Sequence, residues 1–469
     1  MSGQPASAEG PIRVAIVGAG PSGFYAAGAL LKADAGREID VDLYDRLPVP
    51  FGLVRFGVAP DHPKIKTVTR VFEKTAAHPR FRFLGNVHIG RDVSREDLRD
   101  HYHAVIYAVG AETDRRLGVP GEDLRGSHPA TEFVAWYNGH PEHHDRSFPL
   151  HASRVAVIGN GNVAIDCARM LALHRDELRV TDTADHAIAA FETAEVDEVL
   201  LIGRRGPAQA AFTNPELLEL GELADADVIV DPADLELDPL SAAWLESDAA
   251  DMTARRNVEI LREYAARAPQ GRRVRIVFRF CRSPVEIVGR EEGVEALVLE
   301  RNELVDDGGR IAARPTGERE TIEVNMVLRS VGYRGIPLPG VPFDEERGVI
   351  PNERGRVTSG GAAVPGEYVV GWIKRGPSGV IGTNKKDAQE TVAAVLEDIA
   401  AGAIHQPAMP GPEDVVARVR AAGADIVMWE DWQAIDAHEA ALGEPHGRPR
   451  VKLRTVEELL EARGRGPGA

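Results

Sequence analysis

The feature that most constrains the fold is a run of residues near the start of the chain, Arg13-Val-Ala-Ile-Val-Gly-Ala-Gly-Pro-Ser-Gly-Phe-Tyr-Ala-Ala27. Its apolar and mostly β-branched part, Val14 to Val17, leads directly into three glycines and then an Ala-rich segment. This order predicts a buried strand, a tight turn and the N-terminus of a helix. Gly18 permits the turn, Gly20 lets a pyrophosphate approach the backbone, and Gly23 lets the helix pack on the strand. A phosphate would lie at the positive end of that helix.

A second predicted strand, Ile39 to Tyr44, ends at Asp45, which follows Gly23 by 22 residues. In dinucleotide-binding folds an acid at this place binds a ribose hydroxyl. The alternative is a glycine turn in another kind of α/β protein, which would not require the acid. The combination therefore predicts a dinucleotide-binding fold.

The same pattern recurs at residues 154–166, Arg154-Val-Ala-Val-Ile-Gly-Asn-Gly-Asn-Val-Ala-Ile-Asp166. The next predicted strand, Val196 to Ile202, ends in Gly203-Arg204-Arg205 instead of an acid. Paired guanidinium groups suit a ribose 2′-phosphate, although two arginines are also compatible with solvated surface charges. The two patterns predict two different dinucleotides, FAD in the first fold and NADP(H) in the second. A chain that binds both is expected to be a flavoprotein oxidoreductase.

The composition limits the other possibilities. A chain of 469 residues is expected to form two or three domains. It has no apolar run long enough for a membrane span and no signal-peptide pattern, and its net charge of −18 argues against nucleic-acid binding. Its two cysteines, Cys167 and Cys281, provide no disulfide framework, dithiol pair or iron–sulfur ligand set. We therefore expect a cytoplasmic protein without a metal site.

Two further segments suggest binding surfaces. Residues 47–64, rich in Pro and Gly, predict an ordered loop beside the first dinucleotide. Residues 367–384 predict a strand, a glycine-rich loop and a helix N-terminus, with the strand delivering Trp372 to a site, unless that residue is a core tryptophan. The other expected elements are helices at 65–77, 386–400, 413–422 and 456–462, and strands at 82–89, 104–110, 294–301 and 321–329.

Residues 255–279 contain eight arginines in an otherwise acidic chain. One interpretation is a solvated helix and strand edge whose arginines have Glu partners nearby. The other is a docking surface for an acidic protein. The sequence alone leaves both open.

With these motifs the chain resembles the adrenodoxin reductase type of ferredoxin–NADP reductase, over nearly its whole length after the first ten residues. The resemblance depends on Gly18-Ala-Gly-Pro-Ser-Gly23, Pro50-Phe-Gly-Leu-Val-Arg-Phe-Gly-Val-Ala-Pro-Asp-His-Pro-Lys-Ile-Lys66, Gly159-Asn-Gly-Asn-Val-Ala-Ile-Asp166, Gly203-Arg-Arg-Gly-Pro-Ala-Gln-Ala-Ala-Phe-Thr213 and Gly371-Trp-Ile-Lys-Arg-Gly-Pro-Ser-Gly-Val-Ile-Gly-Thr-Asn-Lys385. It implies an α/β fold of two Rossmann-like three-layer domains, similar to glutathione reductase. The NADP domain, residues 115–336, would be inserted into an FAD domain made of residues 1–114 and 337–469.

The resemblance also implies roles for individual residues. FAD would be bound by Gly18, Gly20, Ser22, Gly23, Asp45, Leu53, Ile89, Trp372, Gly379, Val380 and Ile381. NADP would be bound by Arg115, Asn160, Gly161, Asn162, Val163, Arg204, Arg205, Glu216 and Gly379. His62 and Glu219 would be the catalytic residues near the nicotinamide and the flavin. Because hydride transfer needs no general base, we expect these two side chains to orient the reactants.

The implied reaction is hydride transfer from NADPH to the flavin N5, followed by single-electron transfers to a ferredoxin. Because the N-terminus lacks a cysteine-rich ferredoxin extension, the iron–sulfur partner is expected to be a separate protein. Two alternatives remain at this stage. One is an NADPH oxidase or diaphorase that acts on quinones or small acceptors, and the other is a redox-sensing binding module.

Overall fold

The computed structural model describes residues 10–464, and two large sheets organise them. The strands are β1 Ile12–Val17, β2 Ile39–Tyr44, β3 Phe81–Leu84, β4 Ala104–Tyr107, β5 Thr113–Asp114, β6 Ser127–Pro129, β7 Arg154–Ile158, β8 Glu198–Ile202, β9 Ala226–Val230, β10 Val274–Arg279, β11 Arg282–Arg290, β12 Gly293–Asp307, β13 Arg310–Glu323, β14 Met326–Arg329, β15 Tyr333–Arg334, β16 Asn352–Glu353, β17 Arg356–Ser359 and β18 Ala362–Val369. The helices are α1 Pro21–Leu30, α2 Leu53–Phe56, α3 Pro63–Lys66, α4 Thr69–Ala76, α5 Arg95–His101, α6 Ala130–Tyr137, α7 Asn162–Ala172, α8 Arg175–Leu178, α9 Asp185–Glu192, α10 Asn214–Leu220, α11 Pro239–Glu246, α12 Met252–Ala265, α13 Trp372–Arg375, α14 Thr383–Ala401, α15 Pro412–Ala421, α16 Trp429–Gly443 and α17 Val456–Ala462.

The first sheet has the strand order β16-β17-β18-β4-β1-β2-β3. The strands from β18 to β3 are parallel, and β16 and β17 extend one edge in antiparallel fashion. Alternate residues of β1 enter different cores: Val14 and Ile16 pack on the side of α1 and α14, and Ala15 and Val17 pack on the other side. Both faces are therefore covered, as a parallel sheet requires.

The second sheet, β6-β14-β7-β8-β10-β9, is parallel throughout. Helices α6, α7, α10 and α12 contribute to the core on one face. The antiparallel sheet β11-β12-β13 covers the other face through Ile287, Leu297 and Leu299. The three-stranded sheet thus takes the place that helices occupy on the first domain.

Two chain crossings join the sheets, and they pair with each other. β5 leads out of the first sheet and β15 leads back, and their antiparallel register joins Asp114 to Tyr333 and Thr113 to Arg334. The first sheet consequently draws its strands from both sides of the second sheet in sequence, so the predicted α/β fold with one Rossmann-like domain inserted into the other is confirmed. The predicted boundaries after residues 114 and 336 lie at or beside this ribbon and stay a prediction.

The C-terminal segment, residues 402–464, packs on the first domain and also contacts the inserted domain. Trp432, in α16, and Leu459, in α17, enter the core of the first sheet. Asp182 of the inserted domain lies between two lysines, with its carboxylate 2.7 Å from Lys66 Nζ and 3.2 Å from Lys452 Nζ. The side chains of Asp182 and Lys452 are almost fully buried. The segment therefore ties the two domains together.

Several predicted elements differ from the structure. The expected helix at 65–77 is divided into α3 and α4, and the expected strand at 321–329 belongs to two strands in different sheets. The predicted strand at 82–89 is only β3, and α16 was not predicted. Trp372 begins the short helix α13 and does not lie in a strand, because Gly371 adopts φ +82° and ends the extended backbone there. Within the described part of the chain, no helix has the length and hydrophobicity that a membrane crossing requires.

Candidate functional site: two dinucleotide cradles and the contact between them

The first glycine turn has the geometry that its sequence predicts. Gly18 adopts φ +110°, and a Cβ there would lie 2.5 Å from the carbonyl oxygen of Ala108. A Cβ on Gly23 would lie 2.1 Å from the carbonyl oxygen of Gly18. At Gly20, by contrast, an added Cβ would have no neighbour within 4 Å among the described residues. Two glycines thus serve close packing, and the third leaves the backbone open at the start of α1, where a phosphate group fits.

Asp45 lies at the end of β2 and holds this turn from the side. Its carboxylate accepts hydrogen bonds from the backbone N–H groups of Ala19, at 2.8 Å, and Leu47, at 3.0 Å. Burial raises the pKa of this carboxyl group to about 6. The acid is therefore fixed beside the glycine turn, at the place where a ribose would follow a bound pyrophosphate.

The glycine-rich loop that begins at Gly371 contacts the first glycine turn. A Cβ on Gly371 would lie 2.2 Å from Ser22 Oγ, so residues 18–23 and the start of α13 are in contact. Trp372 is half-buried, its ring centroid lies 5.2 Å from that of Tyr333, and its indole N–H donates to the carbonyl oxygen of Ser378. This position differs from that of a core tryptophan. Val380 is 58% exposed, which leaves the tip of the loop accessible.

The other proposed FAD residues are divided between core and surface. Ile89 is buried in the core on the second face of the first sheet, and Leu53 is exposed at the start of α2. Arg375, which carried no role in the sequence analysis, has two buried nitrogen atoms, Nε and Nη1, without a hydrogen-bond acceptor among the described residues. Its Nη2 donates to Asn384 Oδ1 at 2.9 Å. The nearest carboxylate, that of Asp387, lies 3.9 Å from Nη1. Buried donors without a hydrogen bond suit an anionic group, so the residues present fit a bound FAD.

The second glycine turn repeats the geometry of the first. A Cβ on Gly159 would lie 2.1 Å from the carbonyl oxygen of Ser330, whereas one on Gly161 would meet nothing within 4 Å among the described residues. Asn162, the first residue of α7, accepts a hydrogen bond from the Thr213 N–H at 2.8 Å. Val163 follows it and packs partly against the core. This turn also leaves one open place at a helix N-terminus.

Arg204 and Arg205 lie beside a cavity of about 710 Å³. Arg204 is exposed and Arg205 is half-buried, and neither has a carboxylate within 4 Å among residues 10–464. Arg115 is exposed near the end of the second sheet, where its backbone N–H donates to Gly332. Arginines without acidic partners next to a cavity fit an anionic ligand better than they fit solvated ion pairs.

A cluster of charged side chains joins the two domains beside these cradles. His62 Nε2 lies 2.6 Å from Glu219 Oε2, and His62 Nδ1 lies 3.8 Å from Glu216 Oε1. His62 belongs to the Pro- and Gly-rich loop of the first domain, and both glutamates belong to α10 of the second. The sequence-predicted catalytic pair is thus brought together, and Glu216 lies with this pair.

Arg169, which the sequence analysis missed, lies at the centre of the cluster. Its buried guanidinium donates to Asp61 at 2.5 Å and to Asp166 at 2.7 Å, and it lies 3.3 Å from Glu216. Burial and the charge of Asp166 raise the pKa of Glu216 to about 7. The available sequence pattern was the spacing of Asp166 and Arg169 on one helix face directly after the glycine turn, together with Asp61 beside His62.

Comparisons with known proteins support the fold with two dinucleotide-binding domains. The family model described as pyridine nucleotide-disulphide oxidoreductase matches residues 12–201. The NADPH-ferredoxin reductase FprA of Mycobacterium tuberculosis is 52% identical over 460 residues, which cover 96% of this chain and 98% of that protein. The mitochondrial NADPH:adrenodoxin oxidoreductase of Arabidopsis thaliana is 42% identical, with 96% and 95% of the two chains covered. The structure of Mycobacterium tuberculosis FprA in complex with NADPH superposes with a TM-score of 0.92 at 51% identity, over 97% of this chain and 99% of that one.

Proposed function

We propose that this chain, which belongs to the family of NADPH-ferredoxin reductases and NADPH:adrenodoxin oxidoreductases, moves electrons between NADPH and a separate iron–sulfur ferredoxin through FAD. The observation that supports this most is the pair of open glycine turns, one beside Asp45 and the other beside Arg204 and Arg205, in two domains joined at His62. A fold that binds two dinucleotides, with an acid beside one ribose and arginines beside the other, suits electron transfer between them.

Bound FAD would supply the exchange of one hydride for two single electrons. The residues of the chain would provide the binding and the orientation. We assign the open backbone at Gly20 to the pyrophosphate, Asp45 to the ribose, and Trp372 with the loop at Gly379 to Ile381 to the flavin ring. Backbone N–H groups of such a loop stabilise negative charge that develops on a bound ring.

His62 and Glu219 would orient the two rings. The two side chains come from different domains and contact each other at 2.6 Å, so their contact depends on how the domains are placed. Alignment of reacting groups contributes to rate because small displacements misalign the orbitals. We therefore assign them an orienting role, with Arg169 as the residue that holds their surroundings.

The partner would be a ferredoxin. The docking surface suggested by the sequence, residues 255–279, contains arginines that already have partners within the chain. Arg255 donates to the carbonyl oxygens of Leu245 and Ser247, so it fastens the end of α11. Arg256 pairs with Glu259 and Glu263. Among residues 255–279, Arg262 and Arg267 are exposed without a carboxylate within 4 Å in the described chain, and Arg262 lies on α12. We propose that docking depends on Arg262 of α12, while docking on residues 255–279 as a whole stays a prediction.

One anaerobic experiment tests the function. The purified protein is titrated with NADPH while the visible absorption of the flavin is followed, and an oxidised acidic ferredoxin is then added. The expected result is loss of the flavin absorption with NADPH and its return with ferredoxin. Flavin reduction without return of the absorption would favour a diaphorase, and no reduction by NADPH would favour a redox-sensing module. The cytoplasmic location expected from the cysteine content stays a prediction.

The docking hypothesis has its own test. Arg262→Glu should slow ferredoxin reduction and leave ferricyanide reduction unchanged, because a small acceptor needs no docking surface. Arg175→Glu is the matched control, since this exposed arginine lies on α8 of the same domain. The slowing should weaken at high salt, where exposed charges are screened beyond about 3 Å at 1 M. Equal slowing in both variants would contradict a specific surface.

A further inference from the structure

The tip of a long β-hairpin forms one wall of the cavity that contains Arg204 and Arg205. Asp307 and residues 309–313, at the end of β12 and the start of β13, line this cavity together with residues 208–213. The turn contains Gly308 and Gly309 with φ +61° and +86°, which glycine adopts without strain. These angles set the register in which Asp307 pairs with Arg310. The turn therefore places Arg310 at the cavity.

Arg310 differs from the other arginines of this hairpin. Arg314 pairs with Glu303, Arg319 lies 3.5 Å from Glu300, and Arg301 lies 3.4 Å from Glu318. Each of these charges is balanced by a carboxylate across the hairpin. Arg310 is exposed and has no carboxylate within 4 Å in the part of the chain that the structure describes. Its positive charge is thus left for something outside the hairpin.

The other two arginines at the cavity, Arg204 and Arg310, act on Arg205. Burial lowers the pKa of Arg205, and the positive charges of Arg204 and Arg310 lower it further. Like charges close together destabilise the empty site, and a ligand that carries a double negative charge relieves that repulsion. A phosphate monoester offers such a charge and three acceptor oxygens.

We propose that Arg310 is a third cationic contact to the ribose 2′-phosphate of NADPH, so that the hairpin tip takes part in the choice of NADPH over NADH. This proposal rests on the proposed function, which makes the second fold an NADP(H) site. Arg204 and Arg205 would reach the phosphate from the segment after β8, and Arg310 would reach it from the hairpin tip that lines the same cavity. Phosphate recognition from two segments would select against a ribose that lacks the phosphate.

The test measures binding by calorimetry with the FAD-loaded protein, using 2′,5′-ADP and 5′-ADP as probes. Arg310→Ala should weaken 2′,5′-ADP about tenfold, which corresponds to about 1.4 kcal/mol. Binding of 5′-ADP should change less than about twofold, and Arg310→Lys should recover part of the loss because it keeps the charge. Arg314→Ala, on the same hairpin but paired with Glu303 outside the cavity, is the matched control and should bind both probes normally.

The outcomes distinguish the NADP(H) assignment of the second fold from the role proposed for Arg310. If the unchanged protein does not prefer 2′,5′-ADP to 5′-ADP, the NADP(H) assignment itself fails. If it does prefer it, and Arg204→Ala weakens binding while Arg310→Ala does not, the proposal for Arg310 is overturned and the function stands. Equal weakening by Arg310→Ala and Arg314→Ala would also overturn it, because the loss would then come from the hairpin as a whole.

Discussion

Replacing Arg169 by Met is the most informative single change in this molecule. The guanidinium is 3% exposed and donates to Asp61 of the first domain and Asp166 of the second, with Glu216 3.3 Å away. Met keeps most of the volume and removes the charge. Four acids, Asp61, Asp166, Glu216 and Glu219, then lie close together without the guanidinium between them.

The magnitude follows from burial and from the number of partners. Removing one member of a buried ion pair costs about 3–5 kcal/mol, because the remaining charges stay desolvated and unpaired. Part of that cost is offset because Glu216, with a pKa already raised to about 7, can take up a proton. We therefore expect a loss of about 3 kcal/mol in the free energy of unfolding. We also expect flavin reduction by NADPH to slow by about tenfold or more, because His62 and Glu219 lose their support.

Two measurements check this, urea unfolding of the FAD-loaded protein and stopped-flow flavin reduction. Arg179→Met is the control, since Arg179 is 49% exposed and pairs with Glu192 at the surface, where removal should cost less than about 1 kcal/mol. Asp61→Asn should cause a smaller loss than Arg169→Met, because Arg169 keeps its partners in its own domain. The reasoning is refuted if Arg169→Met behaves like Arg179→Met in both measurements.

Three further changes have defined outcomes. Changing Arg204 and Arg205 together to Ala should raise the Michaelis constant for NADPH more than tenfold, because a charge-assisted hydrogen bond is worth about 1.5–3 kcal/mol. The Michaelis constant for NADH should stay nearly unchanged. Equal effects on both coenzymes in steady-state assays would contradict the assignment. Changing Cys167 and Cys281 to Ala should leave turnover per bound flavin unchanged, because burial raises the pKa of both thiols and no thiol carries electrons. Loss of turnover in a folded, flavin-loaded variant would count against this mechanism. Glu216 has a native pKa of about 7, above its ordinary 4.5, so its contribution to stability is present below about pH 4.5 and is lost as the pH rises to about 7. Glu216→Gln should remove about 1–2 kcal/mol of that pH dependence after allowance for solvent screening, and identical urea midpoints against pH in both proteins would be the contrary result.

The sequence predicted the parts of the site that are local. Gly23 is required by a contact within its own strand–turn–helix unit, Gly18 and Gly159 adopt the positive φ of the turn, and Asp45 follows from the next strand. Such units have a fixed spacing, so their residues are recognisable in order along the chain. The two sheets and the insertion of one domain into the other followed from finding the unit twice.

The rest depended on packing between distant segments. Arg169 meets Asp61 across 108 residues of sequence, and no spacing rule connects them. The partners of Arg255 are backbone carbonyl groups at the end of α11, so a count of arginines could not distinguish it from exposed Arg262. Trp372 was assigned to a strand because the apolar run before it is extended, and the positive φ of Gly371 that ends the strand is a property of the backbone.

The insertion of one domain into the other has a consequence for the order in which the chain folds. Every strand of the second sheet lies within residues 127–329, whereas the first sheet is completed only when β18 pairs with β4, joining Glu367 to Val105. Closing so long a loop is slow relative to pairing within the inserted domain. During synthesis the inserted domain is expected to become protease-resistant first, while strands β1 to β4 wait for the last third of the chain. Brief proteolysis of the chain during its synthesis would reveal this order, and simultaneous protection of both domains would contradict it.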